Sequence, residues 1–125
     1  MIELNTSDTA KLAAQFALDK KANDIKILDL RPLTTVTDFF VICSADSTTQ
    51  VKAIAENVAD QLKFEYGENP INIEGFNNLT WVLLDYVDFV VHIFQKDQRE
   101  FFSLERLWQD APTQIITDES LKDEE

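Results

Sequence analysis

Three features of the chain predict an α/β fold built as a single domain on a mixed sheet of about five strands. Val51, Ile54, Ala55, Val58 and Leu62 keep helical spacing between Ser47 and Gly67. Runs rich in Val, Ile and Phe stand on both sides of that helix. The stretch Thr80 to Phe94, TWVLLDYVDFVVHIF, reads as two strands around Asp85-Tyr86-Val87-Asp88, an antiparallel hairpin. A length of 125 residues with 45% hydrophobic content suits one compact core rather than two.

Taken in order, the elements read α-β-β-α-β-β-β-α. Thr6 or Ser7 can cap a first helix running to about Ala22, with Leu12, Phe16 and the alanines on its apolar side. Ile25 to Leu30 is a strand, Pro32 to Thr37 a loop, and Asp38 to Ser44 a second strand whose continuous apolar run suits a position covered on both faces. Ser47-Thr48-Thr49-Gln50 fits a capping box for the second helix, and Gly67 ends it. Pro70 opens a short strand, Ile71 to Glu74, which makes Phe39 to Ile73 a right-handed βαβ crossover. After the hairpin, Asp97 and Glu100 match a second capping pattern, with Phe101, Leu104 and Trp108 as the stripe of a short terminal helix. The domain spans residues 1–112. Residues 113–125 form an acidic tail with too little apolar surface to offset its ordering entropy, and it is expected to fray.

The hairpin's alternation sorts its side chains. With a loop of Tyr86-Val87, or of Asp85 to Asp88, Leu84 faces Phe89, Val82 faces Val91 and Trp81 faces His92. One face collects Val82, Leu84, Phe89 and Val91, an apolar set that calls for a helical cover. The other collects Trp81, Leu83, Asp85, Asp88, Val90 and His92. That mixture is harder to bury, so this face is the candidate working surface. A β-branched Val87 at positive φ would be strained, which favours a wider turn.

Composition narrows the function classes. Net charge is −12, and the last eight residues carry five acids against one lysine, so the body of the chain is acidic in its own right. Such a surface repels phosphate backbones and favours a basic protein partner, with little or no direct nucleic-acid binding. The only cysteine, Cys43, lies in an apolar run and permits no internal disulfide, which fits a reducing cytoplasm. The N-terminus lacks a signal pattern and no segment is long enough to span a bilayer. Gly67 and Gly75 are the only glycines, so neither a P-loop nor a dinucleotide fingerprint can be written. One histidine excludes a histidine-rich zinc site. Asp85 and Asp88, which lack a third carboxylate, read as turn acids rather than a magnesium pair, and a Ser44–His92–Asp85 triad has no support in spacing. No catalytic residue, metal or cofactor is expected.

WVLLDY, D-x-x-VHIF and REFFSLERLWQDAP, with DLRPLTTVTDFFVICSA and QVKAIAENVADQL upstream, resemble the ribosomal silencing factor family, also called Iojap-like, from about Asp24 to Pro112. The resemblance implies a nucleotidyltransferase-like topology without the chemistry, and a translational repressor. Such a protein binds the large ribosomal subunit at its protein fourteen, blocks joining with the small subunit, and is often a homodimer. It also implies partner contacts at Trp81 and Asp85. Around that aromatic and acid, Leu83, Tyr86 and His92 are expected as supporting contacts. Many relatives carry Thr-Gly-Thr-Ser where this chain has Ser44-Ala45-Asp46-Ser47, and the added bulk and charge disfavour phosphate there. Two alternatives stand beside this reading. One is a nucleotide-binding or nucleotidyl-transferring enzyme using Ser44, Ser47 and Asp85, and the other is an adaptor for a non-ribosomal basic protein.

Overall fold

A computed structural model describes residues 5–118 of the chain. Helix α1 (Thr6–Asp19) starts one residue earlier than its sequence suggests. The Asn5 carboxamide accepts the Asp8 N–H at 2.8 Å and so serves as the cap. It also stops short of Ala22, closing at Lys20. Strand β1 (Asn23–Asp29) and strand β2 (Phe39–Ala45) pair antiparallel, with a bulge between Asn23 and Lys26. Helix α2 (Thr48–Tyr66) has its predicted ends, although the Gln50 side chain, expected to close the capping box, donates instead to the Lys20 and Lys21 carbonyls. Ser47 accepts the Gln50 N–H, and Gly67 takes the left-handed conformation at the C-terminus.

Strand β3 (Asn72–Glu74), β4 (Trp81–Asp85) and β5 (Phe89–Gln95) complete the sheet on one side. On the other side is a strand the sequence reading assigned to a frayed tail: β6 (Thr113–Ile116) pairs antiparallel with β1. The fold therefore has six strands, in the order β3-β4-β5-β2-β1-β6. Thr113-Gln114-Ile115-Ile116 carries β-branched residues whose signal is masked by the acids after it, and Ile116 seals the core beside Ile25. The domain thus continues past Pro112. The acids at 119–125 lie outside the described residues. Strand β2 is parallel to β5, and the crossover through α2 reaches β3 by passing over both β5 and β4.

Helices α1 and α2 cover one face of the sheet. Their alanines and Val51, Ile54, Val58 and Leu62 pack on Ile27, Val41, Cys43, Val82, Leu84, Val91 and Ile93. The expected division of hairpin residues between two faces holds, but the register differs by two. Leu84 pairs with Val91, Val82 with Ile93 and Trp81 with Phe94, because the connection is Val87-Asp88 and Tyr86 still belongs to the ladder opposite Phe89. A register shift of two leaves every side chain on its face. The turn is tight rather than wide: Asp88 N–H reaches back to the Tyr86 carbonyl across Val87, whose φ is 75°. This is the strained γ-turn geometry. The Asp85 carboxylate accepting the Val87 N–H at 2.8 Å, and Thr37 donating to the Val87 carbonyl, hold it.

The predicted terminal helix is two short helices, α3 (Lys96–Phe102) and α4 (Leu104–Leu107), separated by Ser103 at φ 51°. The cap is Gln95, which accepts the Asp97 N–H, so Asp97 lies inside the first turn. Together α3 and α4 lie on the second face of the sheet but cover only part of it, over Leu28, Ile42, Phe94 and Trp81.

Candidate docking surface on the open face of the sheet

Alternation along β4 and β5 brings Trp81, Leu83, Asp85, Val90 and His92 to the face opposite α1 and α2. Trp81 is half-buried. Its ring stacks on Phe94 at 4.9 Å, meets Phe102 at 4.7 Å, and donates its indole N–H to His92 Nδ1 at 3.1 Å. Gly75 fixes the chain behind this tryptophan. A Cβ there would fall 1.9 Å from the Trp81 carbonyl oxygen, and its φ of 95° suits glycine. Leu83 and Asp85 are partly exposed.

Beyond the reach of α3 and α4, the same face opens into a groove of about 400 Å³. Leu83, Val90, His92 and Phe40 line it, with Trp108 at one side and Val36, Ile71 and Val87 around it. Val36 is 85% exposed and Ile71 70%. Exposed aliphatic side chains around an uncovered apolar groove are the composition of an interaction surface rather than of a solvated one. Asp85 adds a carboxylate that pairs with no cation among the described residues.

Of the five residues expected to meet a partner, the structure gathers four and removes one. Trp81, Leu83, Asp85 and His92 share this face. Tyr86 is on the other, 6% exposed and stacked on Phe89 at 4.7 Å beneath the helices. The reason is the turn: with Val87-Asp88 as the loop, Tyr86 is the last ladder residue and continues the alternation of Val82 and Leu84. His92 is itself only 4% exposed, so it contributes as part of the groove's floor. Burial lowers its pKa to about 4, and the ring is neutral at physiological pH.

The sequence reading missed Phe40, Ile71, Val36 and Trp108 as groove residues. Phe40 was hidden in an unbroken apolar run, and the signal that could have found it is parity. Phe40 and Ile42 alternate with Phe39, Val41 and Cys43, which belong to the helix-covered face. Ile42 is fully buried under α3 and α4, whereas Phe40 is only partly covered.

The residues of the enzymatic alternative are not assembled. The Ser44 hydroxyl accepts from Arg99 Nη1 at 3.1 Å, and Ser47 caps α2. Ser44 pairs with Phe94 while Asp85 pairs with Val90, so they stand four ladder positions, roughly 13 Å, apart along the sheet. Arg99 also donates to Glu105 at 2.7 Å, and Lys26 donates to the same carboxylate at 2.8 Å. Burial opposes the ionisation of Glu105, but these hydrogen bonds outweigh it and hold its pKa below the usual value. This network pins α4 to β1 and α3. Burial pushes the Cys43 thiol up to about 12, which makes it a poor nucleophile. Among the described residues, no three His, Cys, Asp or Glu side chains are grouped to hold a metal, and no helix is long and apolar enough to cross a membrane.

An α/β sheet whose second face is only partly covered, and carries there an aromatic, an acid without a cation among the described residues and an apolar groove, is suited to docking. Comparison with known proteins places it further. The family described as "Ribosomal silencing factor during starvation" matches residues 3–125, and the chain belongs to that family. It is 44% identical over 109 residues to the ribosomal silencing factor RsfS of Bacillus subtilis, covering 87% of this chain and 92% of that protein. It is 31% identical to the mouse "Mitochondrial assembly of ribosomal large subunit protein 1", over 71% of this chain and 40% of that longer protein. The crystal structure of a protein from Chromobacterium violaceum superimposes with a TM-score of 0.81 at 35% identity, covering 85% of this chain and 88% of that one. The family's names denote regulation of the ribosome rather than a reaction.

Proposed function

We propose that this protein represses translation in the cytoplasm by docking on the large ribosomal subunit, at its protein fourteen, through the open face of the sheet. Its bulk then keeps the small subunit from joining. The observation that carries this reading is the alignment of Trp81, Leu83 and Asp85 on a face that α3 and α4 cover only in part, beside an apolar groove. A half-buried tryptophan next to a carboxylate is the pairing expected of an interface hot spot toward a basic partner. The net charge of −12 favours approach to such a partner and disfavours direct binding to ribosomal RNA. No bond is made or broken in this mechanism, so the effect scales with occupancy and an interface of ordinary size suffices. Self-association through the same apolar surface would compete with docking.

Gradient sedimentation with purified large subunits tests the reading. The parent chain travels with the subunit, whereas Trp81→Ala and Asp85→Lys, checked to be folded, stay at the top of the gradient. Folded variants that travel like the parent would mean the surface is wrongly assigned.

A further inference from the structure

The floor of the groove contains a polar group with no partner. The Trp81 indole nitrogen can only donate, so His92 Nδ1, 3.1 Å away, is the acceptor and carries no hydrogen. The neutral ring then bears its hydrogen on Nε2. That nitrogen is buried and makes no hydrogen bond, on a ring that is 4% exposed and lines the groove. His92 lines the groove and Trp81 does not, so the unsatisfied donor belongs to a ring that forms part of the groove's floor. Neighbouring hydroxyls do not relieve it. Thr37 donates to the Val87 carbonyl, and Thr34 accepts the Val36 N–H. A buried donor left without an acceptor is costly, and such a group is stabilised by whatever later supplies one.

We propose that the segment of the basic partner protein that fills this groove places a backbone carbonyl oxygen on His92 Nε2–H, which makes His92 a specificity-determining contact. This rests on the docking reading above and names the chemistry of its central contact. Lysine and arginine side chains have no acceptor, and a carboxylate would be repelled by the nearby Asp85, so a basic segment meets the donor with its main chain. The spacing suits one residue. Leu83 pairs with His92 and Asp85 with Val90, so Asp85 is the diagonal neighbour of His92, roughly 7 Å across the ladder. A single lysine or arginine can bridge that span, with its carbonyl over His92, its methylenes on Leu83 and Val90, and its cation on Asp85. Phe40, partly exposed and edge-on to His92 at 4.5 Å, is the side chain that yields to admit the carbonyl.

Two isosteric variants separate this contact from the positioning of Trp81. His92→Asn keeps an acceptor near the Nδ1 position and removes the outer donor, while His92→Gln keeps a donor near Nε2 and removes the acceptor for Trp81. Binding to purified large ribosomal subunits is measured for the parent and both variants, with cooperative urea unfolding as the check on folding. The expected result is a loss of roughly tenfold for His92→Asn, with His92→Gln binding several-fold more tightly than His92→Asn. Equal binding of His92→Asn and the parent, or a weaker His92→Gln than His92→Asn, would overturn the inference and leave the docking reading standing. A parent chain that fails to bind the subunits overturns both. Should His92→Asn not fold, Val90→Phe narrows the approach to Nε2 without altering the ring, and parent-like binding by that variant overturns the inference equally.

Discussion

The two faces of the central sheet draw on the same strands and meet opposite fates. On one, Val82, Leu84, Val91 and Ile93 are wholly buried beneath α1 and α2, and the polar exception, the Tyr86 hydroxyl, is buried without a partner. On the other, the short helices α3 and α4 reach only as far as Trp81, Phe94 and Ile42, and Leu83, Asp85 and Phe40 remain partly open. Burial on the first face supplies stability at about 25 cal/mol per Å² of apolar surface, a term the second face leaves partly unused. What remains unused on folding is available for binding. The difference is one of helix length: α2 has 19 residues and spans the sheet, whereas α3 has 7 and breaks at Ser103.

Substitutions on the two faces should therefore separate stability from docking. The largest effect is expected for Leu84→Ala, which removes a fully buried side chain from the helix-covered face. Urea unfolding should show a loss of about 3 kcal/mol, and the folded fraction should still bind the large subunit. A loss well under 1 kcal/mol would mean that this face is not the principal core.

Acid should act on the open face through His92. Burial lowers its pKa to about 4 from an ordinary value of 6.5. Between those values the unfolded chain takes up a proton that the folded chain refuses, so the contribution is fully present above about pH 6.5 and is lost as pH falls toward 4. The integrated loss is up to about 3 kcal/mol. In His92→Gln the stability profile over that window should flatten, and an unchanged slope would place the acid sensitivity elsewhere.

A smaller effect is expected at the hairpin tip that joins the two faces. Val87→Gly relieves a β-branched residue at φ 75° and should raise stability by roughly 1 kcal/mol, read as a higher midpoint in thermal unfolding. A fall would show that the exposed valine packs usefully at the tip. The smallest stability change is expected for Leu83→Ser on the open face, about 1 kcal/mol or less, accompanied by clear weakening of subunit binding.

How much of this could be read from sequence follows the same division. The helix-covered face was legible because alternation in β4 and β5, and the 3.6-residue spacing in α2, are period signals that packing reinforces. Ser47 and Gly67 marked the ends of α2 because capping chemistry is local. The turn was not legible: Val87 is a poor candidate for positive φ, and only the Asp85 and Thr37 hydrogen bonds to its peptide groups, the latter 50 positions away, hold it there. Strand β6 was missed because its stability comes from pairing with β1 at the far edge, while its own composition is diluted by the acids that follow. On the candidate site, parity placed Trp81, Leu83, Asp85 and His92 together, whereas Tyr86, expected in the loop beside them, continues the ladder and falls on the other face. The groove itself depends on where α3 and α4 stop, which no local pattern encodes.

A photo-cross-linking residue placed at position 83 on the open face, and separately at the exposed Lys52 position on α2, tests the central claim most directly when each protein is irradiated with purified large ribosomal subunits. The account predicts a cross-link to a basic large-subunit protein from position 83 and none from position 52. Cross-linking from position 52 with none from position 83 would contradict it, because the subunit would then meet the helical side of the molecule.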